Sequence, residues 1–265
     1  MLKWIARNKY KLMAFILVSG VTVDSYLHKG LVRVMFPKKY PGFRNEAISG
    51  AKHHLINKNK SWVKGVNTIE RMNDKLDRNT GGMECDVYFN TTENVFDVHH
   101  DADKPTGLGL ETLLKQYQHL GLQASIWLDL KNLDDQTVQP ALNKLLQLRA
   151  EYHLQDKLLV ESSRAELLKG FGDSGFYTSY YTPVFNPYLI NDDSLKYWVD
   201  SISNVVRKAS VDAVSGYYFQ STFLHKYFPD HDVLVWAPND RFSIINWLYK
   251  KQIASGKGVY IVLYP

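Results

Sequence analysis

Residues 82–101 read GMECDVYFNTTENVFDVHHD, and the rest of the chain is best read outward from them. Met83, Cys85 and Val87 alternate with Glu84 and Asp86, the period of a strand, so the two carboxylates share one face. Carboxylates on an otherwise apolar strand are costly unless water, a cation or a base meets them. The polar NTTEN turn, the short apolar run VFDV and then His99-His100-Asp101 complete a hairpin-sized unit. Two acids and a histidine pair in one unit suit metal-assisted or acid/base chemistry. Carboxylate oxygens hold hard divalent cations, and an imidazole carries a proton near neutral pH.

Around this unit, helical and strand periodicities alternate. NTIERMNDKLDR precedes it as a helix, with Ile69, Met72 and Leu76 at helical spacing and Thr68 near its cap. LGLETLLKQYQHLG follows as an amphipathic helix stopped at Gly121, then the strand QASIWLDLK with Asp129 and Lys131 on one face. Strands KLLVESS, GFYTSYY, VDAVSGYYF, DVLVWAP and GVYIVLYP alternate with further helices to the C-terminus. A first strand is read at AISGAKHHL, ending on His53-His54, with NKNKSWVKG as the loop after it. Eight short apolar strands and seven helical segments predict a parallel sheet covered by helices, closed as a single (β/α)8 TIM barrel over residues 47–265. No Gly-rich phosphate loop follows any strand. His53/His54, Glu84/Asp86, Asp129/Lys131 and Ser162/Ser163 all fall near C-terminal strand ends, where such barrels assemble their reactive face.

The N-terminus differs. Lys3, Arg7, Lys9 and Lys11 precede LMAFILVSGVTV, an apolar run closed by Asp24. A basic segment before a run of that length predicts a signal sequence or signal anchor over residues 1–24, because a full span needs about 20 apolar residues. Residues 25–46, basic and carrying Pro37 and Pro41, read as a linker. Net charge is +5, but before residue 65 the only acids are Asp24 and Glu46, so the remainder is acidic. That distribution argues against a nucleic-acid partner and for an anionic membrane surface, with the barrel outside the cytoplasm in the cell envelope. The single Cys85 excludes an intramolecular disulfide and reads as a packed thiol on the face opposite Glu84 and Asp86.

These motifs resemble the glycerophosphodiester phosphodiesterase and phosphatidylinositol-specific phospholipase C superfamily, most nearly its small members, menorin-like or bacterial phospholipase C-like. The segments that carry the resemblance are AKHH (51–54), NTIE (67–70), ECD (84–86), VHHD (98–101), WLDLK (127–131), VESSRAELL (160–168) and VLVWAPND (233–240). The resemblance implies a Ca²⁺ or Mg²⁺ ion held by Glu84, Asp86 and Asp129. It implies that His53 and His100 act on opposite sides of a phosphodiester and that Lys131 pairs with the phosphate; His54 and His99 are expected to be supporting or surface residues. Asn67 reads equally as an orienting group or a helix cap. The sequence departs from the pattern where many phosphodiesterases have H-R-G at the first strand; here it reads His53-His54-Leu55. The third-strand acid is Asp129 in place of Glu, and DADKPTGLG leads straight into the next helix with no insertion. Two functions follow as expectations. One is a metal-dependent hydrolase of a glycerophosphodiester, phospholipid headgroup or related envelope phosphodiester. The other is a weakly active or inactive barrel that binds a lipid headgroup or glycan.

Overall fold

The computed structural model describes residues 2–28, 38–43, 48–237, 243–256 and 258–265. Its centre is a barrel of eight parallel strands: β1 (Ser61–Val63), β2 (Gly82–Asn90), β4 (Ser125–Leu130), β5 (Leu158–Ser162), β6 (Tyr177–Tyr181), β7 (Ala213–Tyr217), β8 (Asp232–Trp236) and β9 (Ile261–Tyr264). β1 closes the ring, pairing with β9 through Ser61, Trp62 and Val63 and with β2 through Val63 and Met83. β3 (Val95–Val98) turns back antiparallel on β2, with Val87 opposite Val98, so residues 82–101 form the expected hairpin.

Alternation along the strands sorts the barrel into layers. Trp62, Trp127, Leu159, Tyr177, Ala213, Leu234 and Ile261 pack as one buried cluster in the interior. A Cβ built on Gly82 would lie 2.0 Å from the Trp62 ring, so only glycine lets that indole fill the barrel at the start of β2. One step further along the strands, the inward positions become Glu84, Asp86, Asp129 and Glu161, all buried at the C-terminal end. The outward residues Met83, Cys85, Val87, Ile126, Leu128 and Val160 are fully buried beneath the helices.

Those helices are α2 (Ile69–Lys75), α3 (Leu110–His119), α4 (Val138–Glu151), α5 (Lys169–Asp173), α6 (Asp192–Ala209) and α7 (Ser221–Tyr227). The longer ones bury an apolar stripe, such as Leu195, Val199, Ile202 and Val206 on α6. Thr68 caps α2, accepting from the Arg71 amide, and Gly121 follows α3 with φ +63°.

The first strand corrects the sequence reading. Residues 48–56 form no strand; they cross the floor of the barrel, bonding to residues just before or at strand starts. The Ala51 amide donates to the Val211 carbonyl, the Ile56 amide to Asp156, and the Ser125 hydroxyl to the Ile56 carbonyl. The stretch SWV, inside the expected loop, supplies β1 instead, because Trp62 fills the interior while Val63 pairs with both β9 and β2.

A second compact unit comprises Met1–Tyr40 and Asn239–Gly256. In it α1 (Leu2–His28) packs against α8 (Ile244–Ser255), the helix that connects β8 to β9. The expected boundary at residue 24 lies inside α1, and most of the expected linker, with Pro238, Asn239 and Asp240 of the aromatic segment, falls outside the described residues. Among the described residues no helix is long and apolar enough to cross a membrane.

Candidate active site

At the C-terminal end of the barrel a cavity is lined by Lys64, Glu84, Asp86, His100, Trp127, Asp129, Lys131, Glu161, Tyr181, Trp236 and Leu263. It holds about 70 Å³ of solvent-accessible space, several times the roughly 10–15 Å³ that one water needs on that measure. Glu84, Asp86 and Asp129 each present an oxygen within 4.8 Å of the others'. Register makes this inevitable, since Asp86 lies beside Asp129 across the β2–β4 ladder and Asp129 beside Glu161 across β4–β5.

Each acid is held from behind. The Gly65 amide donates to Glu84 Oε2 at 2.5 Å. Asn67 clamps Asp86 from both sides, its Nδ2 donating to Oδ2 at 2.6 Å while its Oδ1 accepts from the Asp86 amide at 2.9 Å. Asn67 is therefore an orienting residue, and the helix cap belongs to Thr68. Lys131 Nζ bridges the aspartates, 2.7 Å from Asp86 Oδ1 and in close contact with Asp129 Oδ2. Ser179 donates to Glu161 at 2.8 Å.

Lys131, in contact, and Lys64, further out, face the three converging carboxylates and Glu161, which leaves the cluster short of positive charge. Burial, then the charges of Asp86 and Asp129, push the Glu84 carboxyl up to about 8. Burial likewise raises Asp129 and Glu161, whereas Lys131 is held cationic by the aspartates in spite of its burial. Clustered acids with raised pKa values in a cleft make a candidate functional site. The donor set, all carboxylate oxygen and deficient in cation, fits a hard divalent ion of the Ca²⁺ or Mg²⁺ class.

His100 stands at the mouth of the cavity, with its side chain 66% exposed and its Nδ1 2.6 Å from Asp101 Oδ1. Asp101 also accepts from Lys104 at 2.7 Å, and these two partners, Lys104 first, hold its carboxyl down to about 2. A carboxylate on Nδ1 sets the tautomer and leaves the other ring nitrogen for proton transfer. His99 is buried, stacked on Tyr88 at 4.2 Å with its Nδ1 2.8 Å from the Asp101 carbonyl, so it supports the turn that carries His100.

His53 is elsewhere. Its amide donates to Asp212 Oδ1 at 2.6 Å and its Nδ1 lies 3.1 Å from both carboxylate oxygens. Asp212 immediately precedes β7, which places His53 at the N-terminal end of the barrel, opposite the acids. His54 pairs at the surface with Asp156, 3.5 Å away. The structure thus brings together Glu84, Asp86, Asp129, Lys131 and His100 but not His53. It adds Lys64, at the C-terminal end of β1, together with Glu161, Tyr181 and Trp236. The signal for Lys64 lies in VKG (63–65), one residue ahead of NTIE (67–70), and is hidden by the misplaced first strand.

No family model matches the chain, and no curated protein matches it by sequence. Solved structures do. A glycerophosphodiester phosphodiesterase from Parabacteroides distasonis is 15% identical, with a TM-score of 0.54 over 78% of this chain and 92% of that one. An Oleispira antarctica phosphodiesterase, solved in complex with the product sn-glycerol-3-phosphate, is 12% identical, with a TM-score of 0.51 over 77% of this chain and 92% of that one. The barrel described above has the fold of these phosphodiesterases.

Proposed function

We propose that the chain is a metal-dependent phosphoric diester hydrolase acting on a glycerophosphodiester or a phospholipid headgroup. The observation that carries this reading is the buried Glu84–Asp86–Asp129 cluster with His100 at its rim, at the C-terminal end of a barrel that known phosphodiesterases share. Glu84, Asp86 and Asp129 would hold the divalent ion, which when bound supplies charge neutralisation at a phosphoryl oxygen. Asn67 and the Gly65 amide keep two of those carboxylates aimed inward. Lys64, which forms no salt bridge among the described residues, offers its ammonium to the diester anion, a role that Lys131 is less free to take between its two aspartates. His100 is the histidine lining the cavity, so it takes the proton of the attacking hydroxyl or water. The phosphorus–oxygen bond to the leaving group breaks on the opposite side, so the departing alkoxide takes its proton from solvent and the imidazolium gives its own back to water.

A second reading, a barrel that binds a headgroup or glycan without turnover, is favoured by one observation. Lys131 already bridges Asp86 and Asp129, as an internal ion pair closing the barrel would. The deciding experiment measures hydrolysis of bis(p-nitrophenyl) phosphate and glycerophosphodiesters by the full chain with EDTA, Ca²⁺ or Mg²⁺. Metal-dependent turnover that disappears in Glu84→Gln and His100→Ala supports the hydrolase. A folded protein inert with every metal leaves the binding barrel.

A further inference from the structure

We propose that α1 and α8 form a lipid-docking element that enters one leaflet of an anionic bilayer. Leu12, Met13, Phe15, Ile16, Leu17 and Val18 of α1 are 37–69% exposed although α8 packs against the same helix. At 100° per residue, this run passes once around the helix and beyond, so the apolar surface faces every side and not a single seam. On α8, Trp247 and Leu248 add 54% and 40% exposed apolar side chains. Contiguous exposed apolar surface on this scale marks an interaction site.

Charge and length select the occupant. The chain carries Lys3, Arg7, Lys9 and Lys11 at the head of α1 and no acid before Asp24, which matches an anionic headgroup layer. Lys251 of α8 lies 4.4 Å over the Trp247 ring, so an aromatic and a cation sit together as they do at a membrane interface. A second helix would ask for an apolar stripe; a fluid acyl layer accepts surface all round. The apolar run 12–23 is about 18 Å long at 1.5 Å per residue, roughly half of a 30 Å hydrocarbon core. It is long enough for one leaflet and too short for two, in keeping with the lack of a membrane-crossing helix among the described residues. Because α8 lies between β8 and β9, the element is tied on both sides to strands that contribute Trp236 and Leu263 to the cavity.

The test is co-sedimentation of the full chain with vesicles of phosphatidylcholine alone or with added phosphatidylglycerol, at low and high salt. Strong partitioning onto the anionic vesicles, weakened by salt, is expected. Phe15→Asp with Ile16→Asp lowers the partition coefficient about tenfold or more on both vesicle types, because two large apolar side chains no longer enter the acyl layer. Lys9→Glu with Lys11→Glu removes the preference for phosphatidylglycerol and the salt dependence. Brominated acyl chains quench tryptophan emission in the parent chain, and less so in Trp247→Phe. The proposal falls if the full chain stays in the supernatant with both vesicle types. It falls equally if the chain forms a lipid-free oligomer that Phe15→Asp disperses, which assigns the surface to a second copy. Neither outcome depends on catalysis, so the phosphodiesterase reading is tested separately.

Discussion

The two ends of the barrel each hold a histidine and a buried aspartate, and they are put to opposite uses. At the floor, Asp212 accepts from the His53 amide, the His53 ring, the Thr178 amide and the Thr178 hydroxyl, so four donors surround one carboxylate. That carboxylate is short of no donor, and the pair pins residues 48–56 across the strand starts. At the other end, three converging carboxylates hold one ammonium in contact, with Lys64 further out, and the histidine stands outside them at the rim. The lesson is that a His–Asp pair says little by itself. What separates a clasp from a reactive centre is whether donors match acceptors, since an acid that is fully satisfied has no capacity left for a ligand.

Substitutions at the two ends should therefore separate cleanly. The largest effect is expected from Glu84→Gln, which removes one of three converging carboxylates. Metal-dependent turnover should drop by about three orders of magnitude or more, and the metal-induced rise in melting temperature should vanish with it. His100→Ala should cost about 10²–10⁴ in turnover, the usual range for losing a positioned acid/base group, while the metal-induced rise in melting temperature persists. Lys64→Met should raise KM for an anionic diester about tenfold with less change in kcat, the signature of lost ground-state binding. At the floor, His53→Ala should lower stability by about 1–2 kcal/mol in denaturant titration and leave turnover of the folded chain within about twofold. A large loss of turnover in His53→Ala with stability intact would undo the contrast between the two ends.

A pH titration sharpens the same comparison. The folded chain without added metal retains the Glu84 proton up to about pH 8, whereas an unfolded chain releases it near the ordinary carboxylate value of 4.5. Between those values the folded state binds more protons, so this group's contribution to stability is whole at low pH and declines as pH rises towards 8. A metal ion competes with that proton, so added Ca²⁺ or Mg²⁺ should stabilise the chain more at pH 8 than at pH 6. Glu84→Gln should flatten both trends in melting temperature.

Much of the barrel was legible in the sequence because strand and helix periodicities are local. The hairpin at 82–101 and the strands from QASIWLDLK to GVYIVLYP required only the alternation of apolar and polar residues. The first strand failed for a physical reason. Three residues, SWV, carry too little pattern to announce a strand, and Trp62 reads as a strand residue only once the interior that it fills is known. AKHH looked reactive because two histidines ended an apolar stretch, yet the stretch lies under the strands and not along one.

The sequence by itself determined which carboxylates share a face, since Glu84 and Asp86 are two residues apart on a strand and Asp129 ends the next parallel one. It determined that His100 follows within the same hairpin, and that the N-terminus is apolar and basic. Only the tertiary structure decided which end of the barrel each group occupies. It sent His53 to the floor, brought Lys64 to the cavity, set Lys131 between two aspartates and paired α1 with α8. The reason is that a local pattern specifies which way a side chain points from its own element. Distance between elements far apart in sequence is set by ring closure and register, through long-range pairings such as β1 with β9, which no local window contains.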